Sequence, residues 1–331
     1  MKRPILLTFA LCLLSCFAVL AQQATDHIYV VVINGGMNKL MNHERYWNDC
    51  AFLYRTLRHD YHIPKRNFSL LLSDGGDPGP DMLREGGRGF ASSPDDLDGD
   101  GECDVWLSAT YANVSATLTS LAGSMTSSDH LFLFFMDHGG SDDGAWSSYL
   151  WLWGGEKLYD TALASLLDLF QIGSMNILMG QCNSGGFIDN LQRSDCVIAT
   201  ACRGDELSWM CPDKPYDEFV YHWICAVAGH DETGQRVNAD VDHDGRVSMD
   251  EAFDYARRND QSNETPQYSS LPANIGRRWA FGGVLTEDEL VVDAPLADGT
   301  VVATPYDLRG IRSASCQPLG IGKRRKIIKK R

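Results

Sequence analysis

The chain has 331 residues, enough for one large domain with an appendage or for two domains. Its 44% hydrophobic and 22% charged residues give a globular balance that excludes wholesale disorder and a collagen-like repeat. The formal net charge is −15, but residues 1–21 carry only Lys2 and Arg3, residues 323–331 carry seven Lys/Arg and no acid, and the span between holds 20 basic against 44 acidic residues. So acidic a body lacks the basic face that binding to phosphates requires, and nucleic acid is excluded as a partner.

In chain order, residues 1–21 combine Lys2-Arg3, an apolar run from Ile5 to Leu14, and Val19-Leu20-Ala21 before Gln22, the three parts of a secretory signal peptide. The run contains Thr8, Ser15 and two cysteines and falls short of the roughly 20 apolar residues of a spanning helix, so no transmembrane segment is expected in the mature chain. Cleavage after Ala21 is one reading. The other is a bacterial lipoprotein site, Leu13-Leu14-Ser15-Cys16, with Cys16 lipidated. Either way the expected location is secreted, cell-surface or periplasmic. Eight cysteines remain after residue 21, too few for a dense disulfide framework and with no CxxC pair, so a zinc ribbon or thioredoxin-type site is not expected.

Short apolar runs then alternate with longer amphipathic stretches, the pattern of strands joined by helical crossovers. Strands are expected at Ile28 to Ile33, Phe68 to Leu72, Leu131 to Met136, Ile177 to Met179 and Val197 to Ala199. Helices are expected at Glu44 to Leu57, Ala109 to Ala122, Tyr159 to Leu169 and Tyr216 to Val227. Nearly continuous hydrophobic strands imply cover on both faces, hence an α/β protein with a mostly parallel central sheet flanked by helices. From about Gly282 the chain turns richer in Val, Asp and Pro, so a first domain is placed at residues 22–280 and a β-rich, basic tail at 281–331.

Two strand ends carry chemistry. Leu131–Met136 runs into Asp137-His138-Gly139-Gly140, and Asn176–Gln181 into Cys182-Asn183-Ser184-Gly185-Gly186. Functional groups gather beyond the carboxyl ends of parallel strands, so His138 and Cys182 would face one crevice. A thiol with an imidazole beside it is the minimal unit of acyl transfer: the sulfur attacks a carbonyl and the imidazole protonates the leaving amine. The following glycines let backbone N–H groups approach an oxyanion.

These motifs resemble the histidine and cysteine motifs of the legumain family of cysteine peptidases, within the caspase-like clan, and the similarity runs from about Asp26 to Gln267. The resemblance implies a caspase-like three-layer sandwich, a His138–Cys182 dyad and an oxyanion hole from the N–H groups of Gly139 and Cys182. It also implies a pocket for the residue before the scissile bond, lined by Arg45, Ser208 and Asp217. One arginine and one aspartate suit a neutral amide, which both donates and accepts. The chain departs from the family in having Gly180 two residues before the cysteine where the family has an acid, and the family's asparagine before the pocket arginine falls on Asn42 or His43.

Residues 240–251 match the calcium loop of an EF-hand. Asp240, Asp242, Asp244, Ser248 and Glu251 stand at ligand positions 1, 3, 5, 9 and 12, Gly245 at the turn, and Arg246 would offer its carbonyl. A weaker copy is formed by Asp96, Asp98, Asp100, Glu102 and Asp104, with Leu107 where the last glutamate belongs, so another carboxylate would have to complete the shell. Calcium is expected as a structural ion, and no organic cofactor is expected. The end of the chain resembles terminal segments of exported Bacteroidetes proteins, which implies sorting or surface attachment through the tail.

The function expected is therefore that of an exported, calcium-stabilised cysteine endopeptidase acting on peptides or proteins after asparagine, aspartate or another polar residue. A peptide ligase or transpeptidase would use the same dyad. An inactive caspase-like calcium-binding module is the third reading, against which the intact dyad and its glycines count.

Overall fold

The computed structural model describes residues 25–142 and 147–285. Its main sheet has six strands: β1 (Ile28–Asn34), β2 (Phe68–Leu72), β5 (His130–Met136), β9 (Ser174–Met179), β10 (Cys196–Thr200) and β11 (Gln267–Leu271). Across the sheet they run β11-β10-β9-β5-β1-β2. The first five are mutually parallel, and β11 closes one edge antiparallel to β10.

Strand geometry explains why these segments read as unbroken hydrophobic runs. Successive side chains point to opposite faces, and here both faces are buried. Val30, Val32, Phe132, Phe134 and Leu178 join a core with helices α1 (Glu44–Arg55), α5 (Glu218–Ala228) and α6 (Met249–Asn259). Their neighbours Val31, Ile33, Leu133, Phe135 and Ile177 join a second core with α2 (Tyr111–Ser124), α3 (Asp160–Leu167) and the short α4 (Ile188–Leu191). The result is a three-layer helix–sheet–helix α/β sandwich with a mostly parallel sheet. A last short helix, α7 (Ile275–Arg278), leads to Trp279 and Phe281, fully buried against Phe132.

Two small sheets lie outside this frame. β3 (Met82–Leu83) pairs with β4 (Phe90–Ala91), and β6 (Gly139–Ser141), β7 (Ser148–Leu152) and β8 (Glu156–Tyr159) form an antiparallel sheet that starts directly after His138. Trp151 donates its N–H to the His138 carbonyl at 3.0 Å, so this sheet holds the histidine turn from outside. All seven cysteines among the described residues are free thiols. Among the described residues no helix is long and apolar enough to cross a membrane. The segments expected to serve as signal peptide (1–21) and lipidation site (Cys16), and nearly all of the expected tail, lie outside the described residues.

Candidate active site

β5 and β9 are hydrogen-bonded neighbours, with Phe135 in register with Met179, so the turns that leave them emerge side by side. How closely they meet is visible at Gly139: a Cβ there would lie 2.1 Å from the Cys182 carbonyl oxygen and 2.6 Å from Gln181 Cγ. Only a residue without a side chain lets the histidine turn seat against the cysteine turn. Asp137, just before His138, has φ of 145°, a conformation that costs a non-glycine residue energy and that the packed turn holds in place. Its fully enclosed carboxyl is pushed by burial well above the usual carboxylate range.

His138 and Cys182 are both half-buried. The Cys182 Sγ accepts the Ser208 N–H at 3.4 Å, and the Ser208 hydroxyl lies 3.6 Å away. The imidazole of His138 packs edge-on against Tyr46 and His43, with ring centroids 5.5 Å apart in each pair. Its Nε2 is 3.4 Å from the Tyr46 hydroxyl. Burial, reinforced by the Arg45 charge, lowers the His138 pKa, while a backbone contact to Met41 opposes the shift. His43, for the same reasons plus His138 itself, falls to about 4. Both rings are therefore neutral near pH 7, the state in which an imidazole accepts a proton from a thiol.

Arg45 on α1 and Asp217, which precedes α5, form one buried ion pair, with Nε 3.2 Å from Asp217 Oδ2. The guanidinium lies over the Tyr46 ring, 4.3 Å from its centroid, and donates from Nη2 to the Tyr46 hydroxyl at 2.8 Å. A continuous polar chain thus runs from Asp217 through Arg45 and Tyr46 to His138. Behind it Asp49, fully buried, accepts the Asp217 N–H at 3.3 Å. Burial and the neighbouring Asp217 drive Asp49 well above the carboxylate range, which favours its neutral form, while burial raises Asp217 and Arg45 holds it down. With Asp49 favoured in its neutral form, one arginine faces one aspartate and their charges balance.

The structure brings Arg45, Ser208, Asp217, Gly139, His138 and Cys182 into one region. Sequence reasoning passed over Tyr46, His43 as a neighbour of His138, and Asp49. The Asn42–His43 ambiguity also has a structural answer: Asn42 is buried and ties the ends of the first two strands together through Asn34, Ser73 and the Asp81 carbonyl, whereas His43 faces His138. Gly180 leaves no room for an acid, since a Cβ there would sit 2.5 Å from Met136 Sδ and 2.6 Å from Val220 Cγ2.

The two acidic loops differ. In residues 240–251 one carboxylate oxygen from each of Asp240, Asp242 and Asp244 lies within 4.8 Å of the others, and burial with the adjoining acids raises Asp242. Gly245 takes the turn at φ 85°. Ser248 and Glu251 form a reciprocal cap on α6, and the other Glu251 oxygen accepts the Val241 N–H at 2.8 Å. The Arg246 side chain reaches away to the carbonyls of Arg278 and Gly283. This donor set of hard oxygens around an acidic centre fits a calcium ion. In residues 96–104 Asp96, Asp98 and Asp104 approach one another in the same way, but Lys65 supplies a cation, 2.7 Å from Asp104, 3.5 Å from Glu102 and 3.9 Å from Asp100. Asp104 further accepts the Tyr54 hydroxyl and the Leu97 N–H.

The family model described as the Peptidase C13 family matches residues 112–273. That stretch contains His138, Cys182, Ser208 and Asp217 and leaves Arg45 outside it. The match supports a cysteine peptidase acting on protein. The crystal structure of protein GSU0716 from Geobacter sulfurreducens is similar at 12% identity and a TM-score of 0.44, covering 78% of this chain and 99% of that one. Among curated proteins none matches.

Proposed function

We propose that the chain is a cysteine endopeptidase. The Cys182 sulfur attacks the carbonyl carbon of a peptide bond, the N–H groups of Gly139 and Cys182 hold the resulting oxyanion, and His138 carries the thiol proton to the leaving amine. Water then attacks the acyl-enzyme, His138 takes its proton, and the thiol is restored. The observation that carries this reading is the close apposition at Gly139 of the turn that bears His138 and the turn that bears Cys182.

Arg45, Ser208 and Asp217 line the pocket for the residue before the scissile bond. Its charge-neutral cluster, with one fixed donor and one fixed acceptor, supports a preference for asparagine over aspartate and over other polar residues. The ligase reading differs only in an amine replacing water and rests on the same residues. Calcium held by Asp240, Asp242, Asp244, Ser248, Glu251 and the Arg246 carbonyl stabilises the fold without touching the reaction, and the 96–104 loop is a second, weaker candidate in which Lys65 competes with the ion. Export through residues 1–21 and attachment through the tail belong to the same reading on sequence grounds.

The test is hydrolysis of fluorogenic peptides that differ only in Asn, Asp, Ala, Lys or Arg before the scissile bond, using residues 22–331 with calcium, beside the Cys182→Ala form. Turnover confined to intact Cys182 and highest for Asn is expected. Equal turnover by the Cys182→Ala form overturns the assignment.

A further inference from the structure

A cavity of about 280 Å³ opens beside the catalytic region, between Trp209, Met210 and Pro212 on one side and Gln261 to Asn263 on the other, with Glu218 at its floor. Its walls are continuous with the residues already described. Ser208, which touches the Cys182 sulfur, is followed directly by Trp209. Met210 bridges to Asp217, and the Glu218 N–H donates to the Trp209 carbonyl at 2.9 Å. The cavity wall is thus the same chain segment, 208–218, that touches the Cys182 sulfur at one end and carries Asp217 at the other.

We propose that this cavity is a second specificity pocket, which takes a lysine or arginine side chain of the substrate at a position other than the one before the scissile bond. The proposal rests on the peptidase reading and deepens it.

Two features select a cation. The upper walls are apolar and unusually open for their type: Trp209 is 47% and Met210 44% exposed, surface that the stem of a long side chain covers. An indole face also attracts an ammonium or guanidinium. The floor is the opposite: Glu218 is only 4% exposed and its carboxylate accepts the Gln261 N–H at 3.2 Å. The group nearest to a counter-cation is His222, 3.5 Å from Glu218, and burial holds that imidazole below its ordinary value, hence neutral near pH 7. Lys214, the nearest lysine in sequence, pairs instead with Asp213 at 3.4 Å. Behind the rim stand Asp260 and Glu264, the latter accepting the Trp209 N–H at 2.9 Å; burial pushes Glu264 up to about 10, so the charge that meets a cation is that of Glu218. A buried carboxylate under aromatic and thioether walls is the chemistry that recognises an arginine or lysine, and it repels an acidic side chain.

The experiment places Arg, Lys, Leu or Glu in turn at each position flanking an asparagine in otherwise identical fluorogenic peptides. At one flanking position Arg and Lys are expected to raise kcat/KM about 10-fold over Leu, the lower end for a hydrogen-bonded charge, with Glu below Leu. The ratio collapses towards one in Glu218→Gln and shrinks in Trp209→Ala, whose wild-type side chain is exposed and whose loss leaves the core intact. Binding of the same peptides to the Cys182→Ala protein by calorimetry supplies the arm that needs no catalysis. Turnover with no basic preference at any position, or a preference unaltered in both variants, overturns the pocket. Cation-dependent binding without turnover by the intact protein keeps the pocket and overturns the peptidase reading. Absence of both overturns the two together.

Discussion

Replacing Gly139 by alanine is the sharpest perturbation of the site, because the structure gives its consequence in ångströms. The added methyl would lie 2.1 Å from the Cys182 carbonyl oxygen and 2.6 Å from Gln181 Cγ. Carbon contacts are attractive only near 3.5 to 4.0 Å, so the two turns have to separate by about 1 Å or more. Neither neighbour can step aside cheaply, one being backbone and the other the stem of Gln181, which is fully buried. Overpacking of this kind costs about 1–3 kcal/mol of stability, and a 1 Å misplacement of reacting groups lowers rate by about 100-fold. Gly140→Ala is the internal control. There the methyl meets the Tyr149 phenol at 2.5 Å, the far end of a half-buried side chain that can swing away. The assay is kcat/KM on an asparaginyl peptide, with the melting temperature and the rate of Cys182 alkylation read in parallel. Gly139→Ala is expected to lose about 100-fold while Gly140→Ala stays within a fewfold of the parent. A folded Gly139→Ala protein with kcat/KM within a fewfold of the parent refutes the argument that this contact sets the spacing of His138 and Cys182.

The remaining expectations concern charge and the ion. Burial and the neighbouring Asp217 push Asp49 towards its neutral form, so Asp49→Asn should change stability by less than about 1 kcal/mol, whereas Asp217→Asn strands the buried Arg45 guanidinium and costs about 3–5 kcal/mol, a contrast that urea unfolding reads directly. Tyr46→Phe keeps the packed ring and removes the hydroxyl shared by Arg45 and His138; kcat should fall about 10-fold, as for loss of one hydrogen bond to a charged group, and an unchanged kcat would make Tyr46 a spacer only. His130, bonded to the Ser174 hydroxyl at 2.7 Å, is lowered by burial from 6.5 to about 4. The unfolded chain takes up a proton below pH 6.5 while the folded chain does not, so this contribution is complete above pH 6.5 and is lost as pH falls towards 4. The stability difference between the parent and His130→Asn should accordingly be constant above pH 6.5 and narrow below it. Chelation of calcium should lower the melting temperature while the enzyme still turns over below the transition, with about 2.7 kcal/mol at stake when the ion stands at 100 times its dissociation constant; Asp242→Ala should lose that dependence, and an unaltered melting temperature on chelation removes calcium from the fold.

The contrast between what the chain announces and what it conceals has a physical origin. The five parallel strands were legible because burial on both faces writes itself into consecutive residues, as in Leu131 to Met136. The approach of the turn bearing His138 to the turn bearing Cys182 was legible because both leave the carboxyl ends of such strands and glycines follow each. Other elements were not. β7 alternates buried Ser148, Leu150 and Leu152 with half-buried Tyr149 and Trp151, a short pattern that its loop surroundings disguise. β11 carries only Tyr and Leu among polar residues, and its place in the sheet comes from pairing with β10. The expected helix from Glu44 to Leu57 ends at Arg55 and continues as a wider turn over Thr56–Asp60, a backbone choice that side-chain periodicity does not encode. The site residues that escaped notice share one property. Tyr46, Asp49 and Lys65 acquire their roles from partners remote in sequence: His138 lies 92 positions from Tyr46, and Asp217 lies 168 positions from Asp49. On the helix surface of a sequence diagram Tyr46 and Asp49 look like one more aromatic and one more acid. Only the sheet, by bringing α1 against the turn after β5 and the start of α5, turns them into a polar chain from Asp217 to the imidazole and a buried brace beneath it. The same folding step sets Glu218 under Trp209, which is why the cavity proposed as a second pocket leaves no motif in the chain.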